Sequence, residues 1–222
     1  MTGPSDDIVV LASGGVDSAI LVADQAAHGR IVHPLYIRFG LAWERVEEAH
    51  LRRFLHALPD QSLVRPLNVL ELPIADVYGT HWSVSGTDTP DDTTPDEAVY
   101  LPGRNLLLLA KTTVWCALHE VQRIALGTLR GNPFTDSSRQ FLSGLADLAG
   151  LALGHQLEVL TPFSELTKVE VLELGEDLHL EHTFSCVAPV GDQHCQTCNK
   201  RAERRKAFAD AGIEDRTSYA TG

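Results

Sequence analysis

The segment "IVVLASGGVDSAILVADQAAHG" (8–29) constrains the fold more than any other part of the chain. Residues 8–12 form a short continuous apolar run rich in β-branched side chains, the pattern of a parallel strand buried on both faces. A glycine-rich turn follows, then helically spaced apolar positions that stop at Gly29. A strand that runs straight into such a turn and a helix is the first half of a strand–helix–strand crossover. Crossovers of this kind build parallel sheets with helices on both faces.

The alternation continues along the chain. "IVHPLYIRF" (31–39) reads as a second strand, and residues 41–58 as a helix with Trp43, Val46, His50, Phe54 and Ala57 on one stripe. "LNVLELP" (67–73) is a third strand. Residues 79–103 are polar, acidic and rich in proline, and too long for a plain connection. They are expected to form a lid over the sheet's functional edge, with disorder as the alternative. "RNLLLLAKTTVWCALHEV" (104–121) reads as a buried helix with Cys116 as a core thiol. A fourth strand (123–129), a polar loop (130–138), a helix ending at Gly154, a fifth strand (157–163) and a helix (166–178) follow. A cysteine-bearing segment leads to a last helix closed by Gly212. The expected fold is a doubly wound α/β domain with a five-stranded, mostly parallel sheet over residues 1–180. A small C-terminal cysteine knuckle and helix (181–222) would pack on it as part of one compact body.

Composition excludes several classes. No apolar run reaches the roughly 18 residues that a membrane span needs, and "MTGPSDD" at the start has no apolar core of a signal peptide. A cytoplasmic protein without membrane contact is expected. The net charge of −12 disfavours a broad nucleic-acid footprint, because phosphate backbones are bound by Lys and Arg. The basic run "NKRAERRK" (199–206) reads as a solvated helix face. Of the four cysteines, Cys186, Cys195 and Cys198 fall close together. In a cytosolic setting such clustering points to metal or redox chemistry rather than a structural disulfide.

The turn after the first strand lies where open α/β sheets bind ligands. Its two glycines let the backbone approach a phosphate. Ser13 and Ser18 offer hydroxyls, and the helix start offers free N–H groups and a positive dipole. It is neither a Walker A loop nor a dinucleotide fingerprint. The pattern Ser-Gly-Gly-x-Asp-Ser resembles the pyrophosphatase-type (PP) loop of ATP-dependent adenylating enzymes. That resemblance implies an ATP site made of Leu11, Ala12, Ser13, Gly14, Gly15, Val16, Asp17, Ser18 and Ala19. A carboxylate beside a polyphosphate is repulsive unless Mg²⁺ bridges them, which would explain Asp17; a helix cap is the plainer alternative.

Taken with the cysteine segment, the chain resembles the 7-cyano-7-deazaguanine synthase (QueC) family over most of its length. "LPGRN" (101–105), "FTDSSRQF" (134–141), "PFSELTKVEVLELG" (162–175) and "TFSCVAPVGDQHCQTC" (183–198) match family motifs in order. The resemblance implies an adenine nucleotide alpha hydrolase-like fold and an ATP-dependent carbon–nitrogen ligase. The family adenylates 7-carboxy-7-deazaguanine, lets ammonia displace AMP to give an amide, then activates the amide with a second ATP and forms the nitrile. It implies catalytic roles for Asp17, Ser18, Arg104 and Lys168, substrate contacts for Arg104, Asn105, Phe134, Asp136 and Phe141, and zinc on Cys186, Cys195 and Cys198. ATP and Mg²⁺ are the other expected cofactors, and a homodimer the expected assembly. For Arg104 and Lys168 the alternative is a surface position.

Three departures stand out. Leu41 and Trp43 replace polar residues of the family and make that wall more apolar. The stretch before Asp136 is shortened, and Ser137 stands at a family cysteine. Arg201 occupies the position of the fourth knuckle cysteine. An arginine stays protonated and cannot ligate, so His194, His182, Asp192 or water would have to complete a zinc site. Loss of the metal and a Cys195–Cys198 redox pair are the alternatives. The same departures leave room for other functions: an adenylating relative that stops at the amide or transfers the acyl group to another amine such as a protein, or an inactive nucleotide-binding partner subunit.

Overall fold

A computed structural model describes residues 6–221. Five strands alternate with helices. β1 (Asp7–Leu11) leads through the glycine turn into α1 (Val16–Ala27), which is followed by β2 (Ile31–Arg38), α2 (Glu44–His56) and β3 (Asn68–Glu71). Two single-turn helices, α3 (Ala75–Tyr78) and α4 (Trp82–Ser85), precede α5 (Arg104–Leu118). β4 (Arg123–Ala125), α6 (Arg139–Leu153), β5 (Glu158–Leu160), α7 (Lys168–Leu174) and α8 (Asn199–Ala211) complete the order.

All five strands are parallel, in the order β3-β2-β1-β4-β5. The sheet is therefore wholly rather than mostly parallel. Ile8, Val9 and Val10 are completely buried because β1 is the central strand, covered on both faces. One face packs against α5 and α6, through Leu109, Cys116, Leu142 and Ala146. The other packs against α1, α7 and α8, through Ile20, Leu21, Val171, Leu172 and Phe208. The strand order reverses between β1 and β4, so the chain leaves these two neighbours in opposite directions and a crevice opens at their carboxyl ends.

Several boundaries differ from expectation. β4 ends at Ala125, and residues 126–128 leave the sheet to form one wall of that crevice. The helix from Arg104 is buried only on one face: Leu109 and Cys116 have no exposure, whereas Leu106, Val114 and Leu118 are exposed. Burial pushes the Cys116 thiol up to about 12, as suits an inert core cysteine. Residues 79–103 do form a cover. The segment contributes Trp82, Val99, Tyr100 and Leu101 to the crevice. It is pinned to the start of α8, where Asn199 donates its N–H to Pro90 O and its side-chain amide to Thr94 O.

Candidate functional site: a cleft where four helix N-termini meet

The crevice has two lobes of about 240 Å³ and 300 Å³ that share Ser13, Gly15, Asp17, Arg104, Asn132 and Phe134. Its floor is the turn after β1. Gly14 has φ +81°, and a Cβ there would lie 2.9 Å from Glu47 O, so only glycine lets the turn lie against α2. Ser13 and Ser18 close the turn on themselves: Ser18 Oγ donates to Gly15 O at 3.1 Å and accepts from Ser13 N at 3.1 Å. Gly15 caps α1 without a side-chain acceptor, so the first amides of that helix keep their hydrogen-bonding capacity for a ligand. Gly127, after β4, presses on the same helix start; a Cβ would come within 3.3 Å of Ser18 N.

Cations sit at the wrong ends of their helices here. Arg104 is the first residue of α5, Lys168 the first of α7 and Lys200 the second of α8, and all three line the cleft. Positive side chains are disfavoured at helix N-termini by the macrodipole. Helix stability does not call for them, whereas an anion bound in the cleft would. Together with the start of α1, four positive helix ends and three cations converge on one cavity, in a chain whose net charge is −12.

Two polar atoms in this cavity are buried without a hydrogen-bond partner: Asp17 Oδ1 and Arg104 Nε. Unpaired buried polar atoms are uncommon and costly. Asp17 Oδ2 is held by Lys168 Nζ at 2.7 Å, and Lys168 also reaches Glu203, at 4.0 Å. The free Oδ1 suits a cation bridging to a phosphate, and the free guanidinium N–H suits an anionic oxygen. Behind Arg104 lies Glu47, whose carboxylate accepts from Tyr36 OH at 2.8 Å. Burial raises the Glu47 carboxyl to about 7, against the pull of the Arg104 charge.

The remaining predicted residues divide. Asp136 accepts from the Asn105 backbone N–H at 3.1 Å and lies 3.4 Å from its side-chain amide, so it caps α5 from outside while lining the cleft. Phe134 stacks on Tyr100 with centroids 5.0 Å apart, and Trp43 on Trp82 at 5.6 Å, giving two aromatic walls. Leu11 and Val16 line the cavity; Ala12 and Ala19 lie in the core behind it. Phe141 does not face the cleft. It packs against the core from α6. Ser137 holds its own loop, with Oγ 2.8 Å from Asn132 Oδ1 and 2.6 Å from Phe134 O.

The expectation of a merely solvated basic helix at 199–206 is overturned in part. Lys200, Glu203 and Arg204 line the cleft, whereas Arg205 and Lys206 are exposed. Arg204 is 1% exposed and donates to Thr217 Oγ1, Thr183 Oγ1 at 2.8 Å and Leu180 O at 2.9 Å. It fastens the C-terminal segment to the core. Asp17, Glu47 and Lys200 thus share a cavity although sequence spacing relates none of them.

The sulfurs of Cys186, Cys195 and Cys198 lie within 4.8 Å of one another, all buried. Cys186 and Cys198 Sγ are 3.8 Å apart. Two thiolates on one tetrahedral zinc, each at about 2.3 Å, stand about 3.8 Å apart, so the spacing suits a single ion. Backbone N–H groups of Cys195, Cys198 and Arg201 each donate to a cysteine sulfur, at 3.3, 3.3 and 3.4 Å. The hydrogen bond shared with Cys186, aided by amides of Val187 and Arg201, holds the Cys198 thiol below the ordinary thiol range. The donor set fits a thiophilic metal. The suggested substitutes for the fourth cysteine do not join it: among the described residues no His, Asp or Glu lies with the three sulfurs. His194 packs on Phe184 at 4.5 Å and Tyr219 at 5.5 Å, with Nε2 accepting from Ser185 N. His182 neighbours His179, and the Asp192 side chain is exposed.

A parallel sheet with a Ser-Gly-Gly-x-Asp-Ser turn at its switch point and a cationic cleft defines a PP-loop α/β protein. Solved structures share the fold: a 4-thiouridine synthetase–RNA complex with bound ATP (TM-score 0.51, 15% identity, 93% of this chain and 51% of that one). Another is the U34-tRNA thiolase NcsA of Methanococcus maripaludis with its [4Fe-4S] cluster (TM-score 0.50, 13%, 94% and 68%). The family model of the queuosine biosynthesis protein QueC matches residues 7–212, and the chain belongs to that family. Curated relatives include the 7-cyano-7-deazaguanine synthases of Xylella fastidiosa strain M12 (30% identical over 228 residues, 95% of this chain and 94% of the relative) and Saccharophagus degradans (29% over 223 residues, 96% and 97%). That of Methanosphaerula palustris is 28% identical over 218 residues (95% and 98%).

Proposed function

We propose that this chain converts 7-carboxy-7-deazaguanine, ammonia and ATP into 7-cyano-7-deazaguanine. The observation that carries the reading beyond family membership is the pair of buried, unpartnered atoms of opposite character, Asp17 Oδ1 and Arg104 Nε, in one cleft. They match what a metal-bound polyphosphate and a developing oxyanion require.

In the proposed sequence the substrate carboxylate attacks the α-phosphorus and pyrophosphate leaves. The α1 amides and Ser13 and Ser18 hold the phosphates, while Lys168 and Lys200 meet the charge that grows on the leaving group. Ammonia then forms the C–N bond and AMP departs. A second ATP adenylates the amide oxygen, with loss of pyrophosphate and one N–H proton; loss of AMP and the remaining N–H proton leaves the nitrile. Asp17 is the proposed Mg²⁺ ligand, and the ion when bound supplies charge neutralisation between phosphates. Arg104 orients the reacting acyl oxygen. Phe134 and Asn105 line the lobe assigned to the heterocycle. Zinc on Cys186, Cys195 and Cys198 would fix the wall that carries Lys200 and Glu203.

The family and the names of its relatives favour this reading over an amide-only enzyme, a protein acyl transferase or an inactive subunit. No described helix is long and apolar enough to cross a membrane; the proposed enzyme acts on small molecules in the cytoplasm. Exposed leucines on α5 and α6, among them Leu118 and Leu151, offer a face for the proposed homodimer.

The test is substrate-dependent release of AMP. The wild-type chain should release AMP only when the carboxydeazaguanine is present, and Asp17→Ala should abolish it. Undiminished release by Asp17→Ala would refute the role given to the loop.

A further inference from the structure

We infer that the metal held by Cys186, Cys195 and Cys198 keeps a fourth coordination position open to an exchangeable small donor, on the wall of the nucleotide cleft. The inference rests on the metal occupancy proposed above.

Three sulfurs within 4.8 Å of one another, two of them at the 3.8 Å of a tetrahedral edge, leave one corner of a four-coordinate ion unfilled. In the Cys-x-x-Cys-x-x-Arg run that corner falls to residue 201, whose guanidinium has no lone pair to give. Among the described residues no His, Asp or Glu replaces it. His194, the nearest histidine in sequence, has its Nε2 engaged by the Ser185 amide, and its unpartnered Nδ1 does not join the sulfurs either. The fourth donor is therefore not a described imidazole, thiolate or carboxylate, and an exchangeable small molecule can take the corner.

The site also borders the cleft. Cys186 lines the larger lobe of the cleft beside Ser185, Val187 and Lys200. Zinc bound by three protein ligands with access to a cavity has the arrangement of reactive sites, whereas structural sites are closed by four. Arg201 fits this state in two ways. Three thiolates on a divalent ion leave one negative charge, which a guanidinium balances. Its Nε is also buried without an acceptor, and a metal-bound water or thiolate would still carry a lone pair to accept from it. Water, ammonia and small thiols can each fill the open corner through a lone pair; of these, ammonia alone keeps none for Arg201.

Cobalt(II) reports the ligand set directly. The full chain, stripped with chelator and reloaded one-to-one, should show tetrahedral d–d absorption with thiolate charge-transfer bands. Separate additions of imidazole, ammonium and 2-mercaptoethanol should each shift the d–d envelope. Arg201→Cys should bind cobalt with four-thiolate intensity and lose all three responses. Failure of the wild-type chain to bind cobalt overturns the metal itself. Binding with a spectrum blind to all three probes overturns only the open position. Should Arg201→Cys not fold, zinc K-edge absorption of the wild-type chain carries the test: three sulfurs and one light donor, the latter replaced by sulfur when thiol is added, are expected. Four sulfurs without added thiol would overturn it.

Discussion

Lys168 Nζ stands 2.7 Å from Asp17 Oδ2, so the first residue of α7 is bound to the second residue of α1 across the mouth of the cleft. The pair orients Asp17 and leaves its other oxygen free. It also holds a cation beside the phosphate loop without neutralising Arg104.

Removing that cation should harm catalysis far more than folding. Lys168→Ala should lower kcat/KM for ATP by about 10²-fold or more, the scale on which charge aimed at a transition state acts. The ion pair is partly exposed, so the stability change should stay within about 1 kcal/mol. AMP release and urea denaturation measure the two effects; an unchanged kcat/KM would remove Lys168 from the site.

Glu47 makes stability depend on pH. Its folded carboxyl lies at about 7, above the ordinary 4.5, because it is buried. Below the ordinary value it is protonated in both states. Between 4.5 and about 7 the unfolded chain gives up the proton while the fold keeps it, so stability falls as pH rises, then levels off. Glu47→Gln should lose this decline and gain on the wild type by on the order of 3 kcal/mol between pH 4.5 and 8. Urea denaturation across that range checks it; parallel curves for the two proteins would contradict the shift.

Arg204 should be a stability residue despite lining the cleft. Arg204→Met removes hydrogen bonds to Thr183, Thr217 and Leu180 inside the protein. The loss should cost about 3–5 kcal/mol, the range for breaking a buried charged network. Protease sensitivity should appear first at the C-terminal segment. A chain with wild-type stability would show that the network is dispensable.

The sheet was legible because buried parallel strands are continuous apolar runs and the helices end at glycines such as Gly29, Gly154 and Gly212, all with positive φ. The phosphate loop was legible because its residues are contiguous. The rest of the cleft was not. Lys200, Glu203 and Arg204 sit in a strongly charged helix whose composition resembles a solvated face; only the packing of Ala207 and Phe208 turns them inward. Glu47 lies among the charged residues of α2, and its burial follows from the approach of the glycine turn. Phe141 matched a motif but serves the core, and His194 adjoins Cys195 yet turns toward Phe184 and Tyr219. Adjacency in sequence does not fix which way a side chain points.

The most direct measurement is mass spectrometry of the products formed from 7-carboxy-7-deazaguanine, Mg-ATP and ¹⁵N-labelled ammonia. The account predicts 7-cyano-7-deazaguanine carrying one ¹⁵N, with two AMP released per nitrile. AMP release without any labelled deazaguanine product, or accumulation of the amide alone, would contradict it.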